Sequence, residues 1–118
     1  MTLSMTRDSV GRLVCAVRGD GNEAVVTAAD PVTASLELLA AIQDAAESGY
    51  GDCLWQEATG DYKWMLRRHE RTLTVAIMWS GGTLTGWQHV FRTETLFDAF
   101  AEQVRTSLAE LGDGAPSR

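Results

Sequence analysis

The sequence is poor in the residues that usually build catalytic and metal sites. Its 118 positions contain two cysteines, two histidines and two prolines. Cys15, Cys53, His69 and His89 lie far apart and lack the paired ligand spacing of a zinc site, so we expect no metal. Phosphate-loop and dinucleotide-binding motifs are also missing. These gaps favour a protein that has no cofactor and is not an enzyme, with both cysteines reduced in the core.

Long hydrophobic runs are missing too. No apolar stretch approaches the roughly 20 residues needed to cross a bilayer, and residues 1–12 lack the apolar segment of a signal peptide. We therefore expect a cytoplasmic protein without a membrane partner. A length of 118 residues, with 45% hydrophobic and 22% charged residues, predicts one α+β domain over 1–118 with a frayed tail at 113–118.

Turn and capping signals divide the chain into strands and helices. Gly19–Asn22 supplies the positive-φ positions of a tight hairpin. Asp30-Pro31 predicts the N-cap and first position of a helix from Val32 to about Glu47. Thr95 resembles the cap of a second helix from Leu96 to Leu111. The expected strands cover Arg12–Arg18, Glu23–Ala28, Cys53–Glu57, Tyr62–Arg68, Thr72–Ser80 and Trp87–Arg92.

This order, ββαββββα, predicts an α+β fold in which two helices pack on one face of an antiparallel sheet. Alternation along the strands assigns side chains to an inner face under the helices and to an opposite outer face. The inner face is expected to carry Tyr62, Trp64, Leu66, Leu73, Val75, Ile77, Trp79, Trp87, His89 and Phe91. The outer face is expected to carry Leu54, Gln56, Lys63, Met65, Arg67, Thr74, Met78, Gln88, Val90 and Arg92. The buried stripe expected on the first helix consists of Leu36, Leu39, Ile42 and Ala46.

The middle of the chain changes sign abruptly. Residues 30–61 contain seven acids and no Lys or Arg, whereas residues 62–92 contain five basic residues and one acid. This division predicts separate acidic and basic surfaces, and clustered carboxylates accelerate association with a basic partner. The net charge of −6 argues against nucleic acid as the partner. The candidate acidic binding residues are Glu37, Asp44, Glu47, Asp52, Glu57 and Asp61.

The outer face is a second candidate surface because it mixes apolar and basic side chains. Met65 and Met78 lie beside Arg67 and Arg92 in the expected register. Methionine repacks easily and arginine is enriched at interfaces, so this face suits contact with another protein. The sequence leaves two alternatives open, since the N-terminal hairpin or a second copy of the chain in a homodimer would also cover it.

Aromatic residues and histidine offer two further interpretations. A small-ligand or regulatory module would use a pocket between sheet and helices. The residues expected to line that pocket are Trp64, Trp79, Trp87 and His89. Catalysis would need His89 with Glu57 or Asp61 as its orienting carboxylate, and no nucleophile accompanies them.

Three aromatic segments resemble small uncharacterised actinobacterial proteins. They are Trp55 with Gly60–Trp64, Thr72–Trp79 and Gly86–Phe91, and the resemblance implies no activity. In its size, its acidity and its lack of catalytic motifs, the chain is also similar to immunity proteins of bacterial toxin systems. That class implies a non-catalytic inhibitor that masks a basic toxin through an acidic surface, which is the function we expect.

Overall fold

The computed structural model describes residues 1–82 and 86–113, and within them the chain forms seven strands and two helices. In order these are β1 (Thr2–Arg7), β2 (Leu13–Gly19), β3 (Asn22–Ala28), α1 (Pro31–Ser48), β4 (Tyr50–Glu57), β5 (Gly60–His69), β6 (Thr72–Gly81), β7 (Gln88–Leu96) and α2 (Phe97–Asp113). The strands form two antiparallel sheets, β1-β2-β3 and β4-β5-β6-β7. The α+β class and the order ββαββββα are confirmed, with β1 as an additional strand before them.

Strand β1 is too short for its alternation to stand out in the sequence, because only Leu3 and Met5 are buried apolar residues. Its free edge is covered by α2. The backbone N–H of Leu3 donates to the Gln103 side chain at 2.8 Å, and that amide donates to the carbonyl of Met1 at 3.0 Å. The covered edge cannot pair with a further strand at these groups.

Helix α1 begins and ends where its capping signals predict. The Asp30 side chain accepts from two backbone N–H groups of the first turn, and Gly49 ends the helix in the left-handed region at φ 94°. The buried stripe differs from the expected one, since it consists of Ala34, Leu38, Ala41, Ile42 and Ala45. The expectation for Leu36 and Ala46 was wrong, because both are exposed.

Gly51 explains why alanines face the sheet. A Cβ on Gly51 would overlap the carbonyl oxygen of Ala41 and lie 2.9 Å from its carbonyl carbon. At Ala41 the helix therefore lies directly against the β4 backbone, at a distance that only a small side chain permits there. The indole of Trp55 locks this contact by donating to the carbonyl of Ala34 at 3.1 Å.

A bulge in β7 reverses the facing of two predicted inner residues. Ile77 pairs with Phe91, but Met78 pairs with His89, so Val90 is one extra residue in the ladder. His89 is exposed, and Trp87 is 43% exposed with the Lys63 ammonium 5.6 Å from its ring centroid. Both residues lie outside the core, and their predicted inner placement was wrong because alternation breaks at a bulge.

The second helix also starts differently from the expectation. Thr95 belongs to β7, so it does not cap α2, and the helix begins at Phe97. The N–H of Phe97, the first residue of the helix, donates to the carbonyl of Arg71 at 2.8 Å and not to the Thr95 side chain. The helix continues through Asp113, and the remainder of the tail predicted to fray, 114–118, lies outside the described residues.

Both ends of the N-terminal sheet are tied to the four-stranded sheet. The carboxylate of Asp20, in the β2–β3 turn, accepts from the Thr93 hydroxyl at 2.7 Å and from the Glu94 N–H at 3.2 Å. These bonds hold the pKa of Asp20 below its usual value. At the opposite end, the N–H of Ala29 donates to the carbonyl of Gln56 at 2.9 Å.

One continuous core includes residues of both sheets and both helices. Neither helix, within the ranges described, is long and apolar enough to cross a membrane.

Candidate functional site

The acidic residues of α1 form one solvent-facing surface. Glu37 and Asp44 line a shallow groove between α1 and β4, and Glu47 is exposed one turn further on. Within residues 1–82 and 86–113, no Lys or Arg lies within salt-bridge distance of these three carboxylates. Their charge is thus directed to solvent, where it can attract a basic protein.

Two large apolar side chains on the same helix are exposed. Leu36 was expected in the buried stripe, and Val32 was not assigned to any surface. Val32 is 64% exposed and Leu36 is 63% exposed. They line a shallow groove between the helices that also includes Leu39, Leu108 and Leu111, with Arg7 at its side. We call Val32, Leu36, Glu37, Asp44 and Glu47 the α1 surface. An apolar centre with a charged border is the usual anatomy of a protein interface.

Asp52 does not share the free charge of α1. Arg67 binds it with Nη1 2.6 Å from Oδ1, and the same guanidinium lies 5.7 Å from the ring centroid of Tyr50. Arg68 has a structural role, because it donates to the carbonyl of Ala46 at 3.2 Å and lies 4.5 Å from the Phe97 ring centroid. The acidic and basic surfaces predicted from the sequence therefore meet at Asp52 and Arg67.

The outer face of the four-stranded sheet carries the mixed side chains that were expected there. Met65 and Met78 are half-buried, Arg92 is exposed 3.9 Å from the Glu94 carboxylate, and Tyr50 is 60% exposed. The N-terminal hairpin does not cover this face, because the buried side chains of β2 and β3 belong to the core and their turn contacts the edge of β7. A partner protein and a second copy of the chain remain open for this face.

Glu57 and Asp61 lie away from the α1 surface. Asp61 is half-buried in β5 and pairs with Ser80 of β6. Glu57 lies in a cleft between the two sheets, where its carboxylate contacts the Thr27 hydroxyl and the Arg12 guanidinium. The prediction that Glu57 belongs to a shared acidic binding surface was wrong, since the end of β4 turns it toward the N-terminal sheet.

The four residues proposed for a ligand pocket do not line one cavity. Trp64 is fully buried with its ring centroid 5.0 Å from that of Trp55, and its Nε1 has no hydrogen-bond partner among the described residues. Trp79 is half-buried beside Tyr62. Trp87 and His89 are exposed outside the core. The bulge in β7 therefore removes two of the four residues that were predicted to line the pocket.

The predicted catalytic arrangement is not assembled either. His89 is on the outer face whereas Glu57 lies between the sheets, and neither Glu57 nor Asp61 bonds to His89 in the part of the chain described. Burial raises the pKa of the Cys15 and Cys53 thiols to about 12, which leaves them protonated and poorly nucleophilic. The described residues also contain no group of three or more potential metal ligands.

No protein-family model, no curated protein and no solved structure matches the chain. The likeness to actinobacterial and immunity proteins therefore stays a prediction from the sequence pattern. The α1 surface, the outer face and the cleft at Glu57 are the features of the molecule that can indicate a function.

Proposed function

We propose that the protein is a non-catalytic binding protein that uses its α1 surface to cover a basic partner protein. The observation that carries this proposal is the exposure of Leu36 in the same groove as Glu37 and Asp44, whose carboxylates have no salt-bridge partner among the described residues. Apolar side chains at the centre of an interface supply most of its affinity, while the charged border selects and steers the partner.

The charges on α1 favour a basic partner in particular. Asp44 and Glu47 are exposed, and Glu47 accepts only from the Gln43 amide, at 2.7 Å, among the bonds of the described residues. Binding a cationic surface there would not break an existing salt bridge. Exposed charges act over a Debye length of about 10 Å at 0.1 M salt, so the attraction should weaken as salt rises.

An immunity-type inhibitor is the biological role that we propose for such a surface. Inhibition would follow from occlusion of a basic substrate-binding region of a toxin, and the inhibitor would need no chemistry of its own. This role agrees with the acidic sequence, net charge −6, and with helix carboxylates that have no intramolecular counter-charge in the described chain.

The test compares two charge-matched double variants as baits in a native lysate. Asp44→Asn with Glu47→Gln removes two charges from α1, and Glu102→Gln with Glu110→Gln removes two from exposed positions of α2. We expect the wild type and the α2 variant to retain the same basic protein, which Leu36→Ser and the α1 variant lose. Equal retention by all baits, or retention of an acidic protein, would overturn the proposal.

A further inference from the structure

The cleft at Glu57 is built by an unusual use of glycine at the end of the inner face. Gly60 pairs with Glu57 on one side and with Gly81 on the other. A Cβ at Gly60 would lie 2.8 Å from Cζ2 of Trp79, and a Cβ at Gly81 would lie 2.7 Å from the same atom. The indole therefore rests across two glycines, and a larger residue would overlap a backbone carbonyl oxygen, of Ser80 for Gly60 and of Thr59 for Gly81, as well as the indole.

The aromatic wall of the cleft consists of two rings. The ring centroids of Tyr62 and Trp79 are 4.6 Å apart with planes tilted by 53°. Both side chains are half-buried, so part of each ring remains accessible from the cleft. Together with Arg12, Thr27, Glu57 and Thr59 they line a volume of about 350 Å³. A space of this size admits a small organic group.

The carboxylate of Glu57 is shielded but incompletely neutralised. Its side chain is 10% exposed, and it accepts from the Thr27 hydroxyl. Arg12 reaches it with Nη1 at 3.4 Å, whereas the Nε of Arg12 lies 2.7 Å from Asp8. Two carboxylates thus share one guanidinium, which leaves the group with a net charge of −1. A shielded carboxylate with so little compensation favours a second cation.

We propose that this cleft binds an organic cation, a guanidinium or ammonium group on a short alkyl chain. Glu57 supplies the charge, and the faces of Tyr62 and Trp79 supply cation–π attraction, which strengthens as water is excluded. Such a cation is either a free small molecule or a side chain of a protein ligand. The site is separate from the α1 surface, so the inference does not depend on the function proposed above.

The test titrates the protein with butylguanidinium and follows the indole N–H signals in ¹H–¹⁵N spectra. Butylurea, which has a similar shape without the charge, is the matched probe. We expect saturable shifts of the Trp79 indole with butylguanidinium only. Glu57→Gln should weaken binding about tenfold. Asp61→Asn removes an equal charge outside the cleft and should change the affinity less than about twofold.

Trp79→Leu gives a second test that keeps Glu57 in place, in case Glu57→Gln does not fold. It should weaken binding about fivefold through the lost cation–π contact. Because this variant lacks the Trp79 indole, its titration follows the backbone amide signals of Thr59 and Tyr62, which line the same cleft. Binding of butylurea as tight as that of butylguanidinium, or unchanged affinity in Glu57→Gln and Trp79→Leu, would overturn the proposal. A pentapeptide with a central arginine distinguishes a protein ligand from a free small molecule. If the cleft binds a protein side chain, the peptide should bind at least as tightly as butylguanidinium. If the cleft binds a free small molecule, the peptide should be excluded.

Discussion

Replacing Gly51 by alanine should lower the free energy of unfolding by about 3 kcal/mol. The added methyl would overlap the carbonyl oxygen of Ala41 and lie 3.1 Å from its Cα, and backbone atoms cannot rotate away as a side chain can. Overpacking of this kind costs about 1–3 kcal/mol. Moving α1 outward would also weaken the hydrogen bond from Trp55 to Ala34, worth about 1 kcal/mol.

Urea denaturation followed by tryptophan fluorescence measures this change directly. At about 4 °C per kcal/mol for a domain of this size, the melting temperature should fall by roughly 12 °C. Gln56→Ala, on an exposed position of the same strand, is the control and should change stability by less than about 0.5 kcal/mol. A loss below about 1 kcal/mol for Gly51→Ala would refute the close packing of α1 on β4.

Three further predictions concern the contact between the two sheets and the buried tryptophan and cysteine residues. Because the folded-state pKa of Asp20 is lowered by its bonds to β7, its stabilisation is present above the unfolded pKa of about 3.9 and is lost as pH falls through the folded value. Asp20→Asn should therefore flatten the fall in melting temperature below about pH 4, and an unchanged acid profile would contradict this bond. Trp55→Phe should cost about 1 kcal/mol more than Trp64→Phe in urea denaturation, since the Trp55 indole N–H has a partner and that of Trp64 has none among the described residues; equal losses would count against it. Cys15 and Cys53 should resist an aromatic disulfide reagent at about pH 8 until the protein unfolds, whereas rapid labelling of the native protein would show that they are accessible.

Local signals in the sequence were sufficient for most of the fold. Asp30 marks the start of α1 because its side chain accepts hydrogen bonds from backbone N–H groups of the first turn. Gly49 marks the end of α1 because its backbone adopts the left-handed conformation. The hairpin at Gly19–Asn22 and the meander of β4 to β7 follow from turn residues and alternation. These features depend on neighbours within a few residues, which is why a single sequence predicts them.

Features that depend on distant contacts were not predictable in the same way. The bulge at Val90 carries no turn residue of its own, yet it moves Trp87 and His89 away from the core. The burial of Ala41 against β4 depends on Gly51, which follows the helix on the next strand. Helical periodicity favoured Leu36, whereas the helix buries Leu38 and Ile42 together with three alanines, and the close approach to β4 requires a small residue at Ala41.

The positions of the candidate site residues were likewise only partly predictable from the sequence. Helical spacing places Glu37, Asp44 and Glu47 on the outer side of α1, where Glu37 is half-buried and the other two are exposed. The sequence could not show that Arg67 neutralises Asp52, or that Glu57 faces Arg12 in the connection between β1 and β2. Both contacts join residues far apart in sequence, and the aromatic cleft arises only where the two sheets meet.

The association rate constant of the captured partner, measured against salt concentration, tests the proposed role of the α1 surface most directly. We expect Asp44→Asn with Glu47→Gln to slow association about fivefold at low salt and to flatten the salt dependence, while Glu102→Gln with Glu110→Gln should leave both close to wild type. Equal rates and equal salt slopes for the two double variants would contradict it, because only the total charge of the protein would then matter.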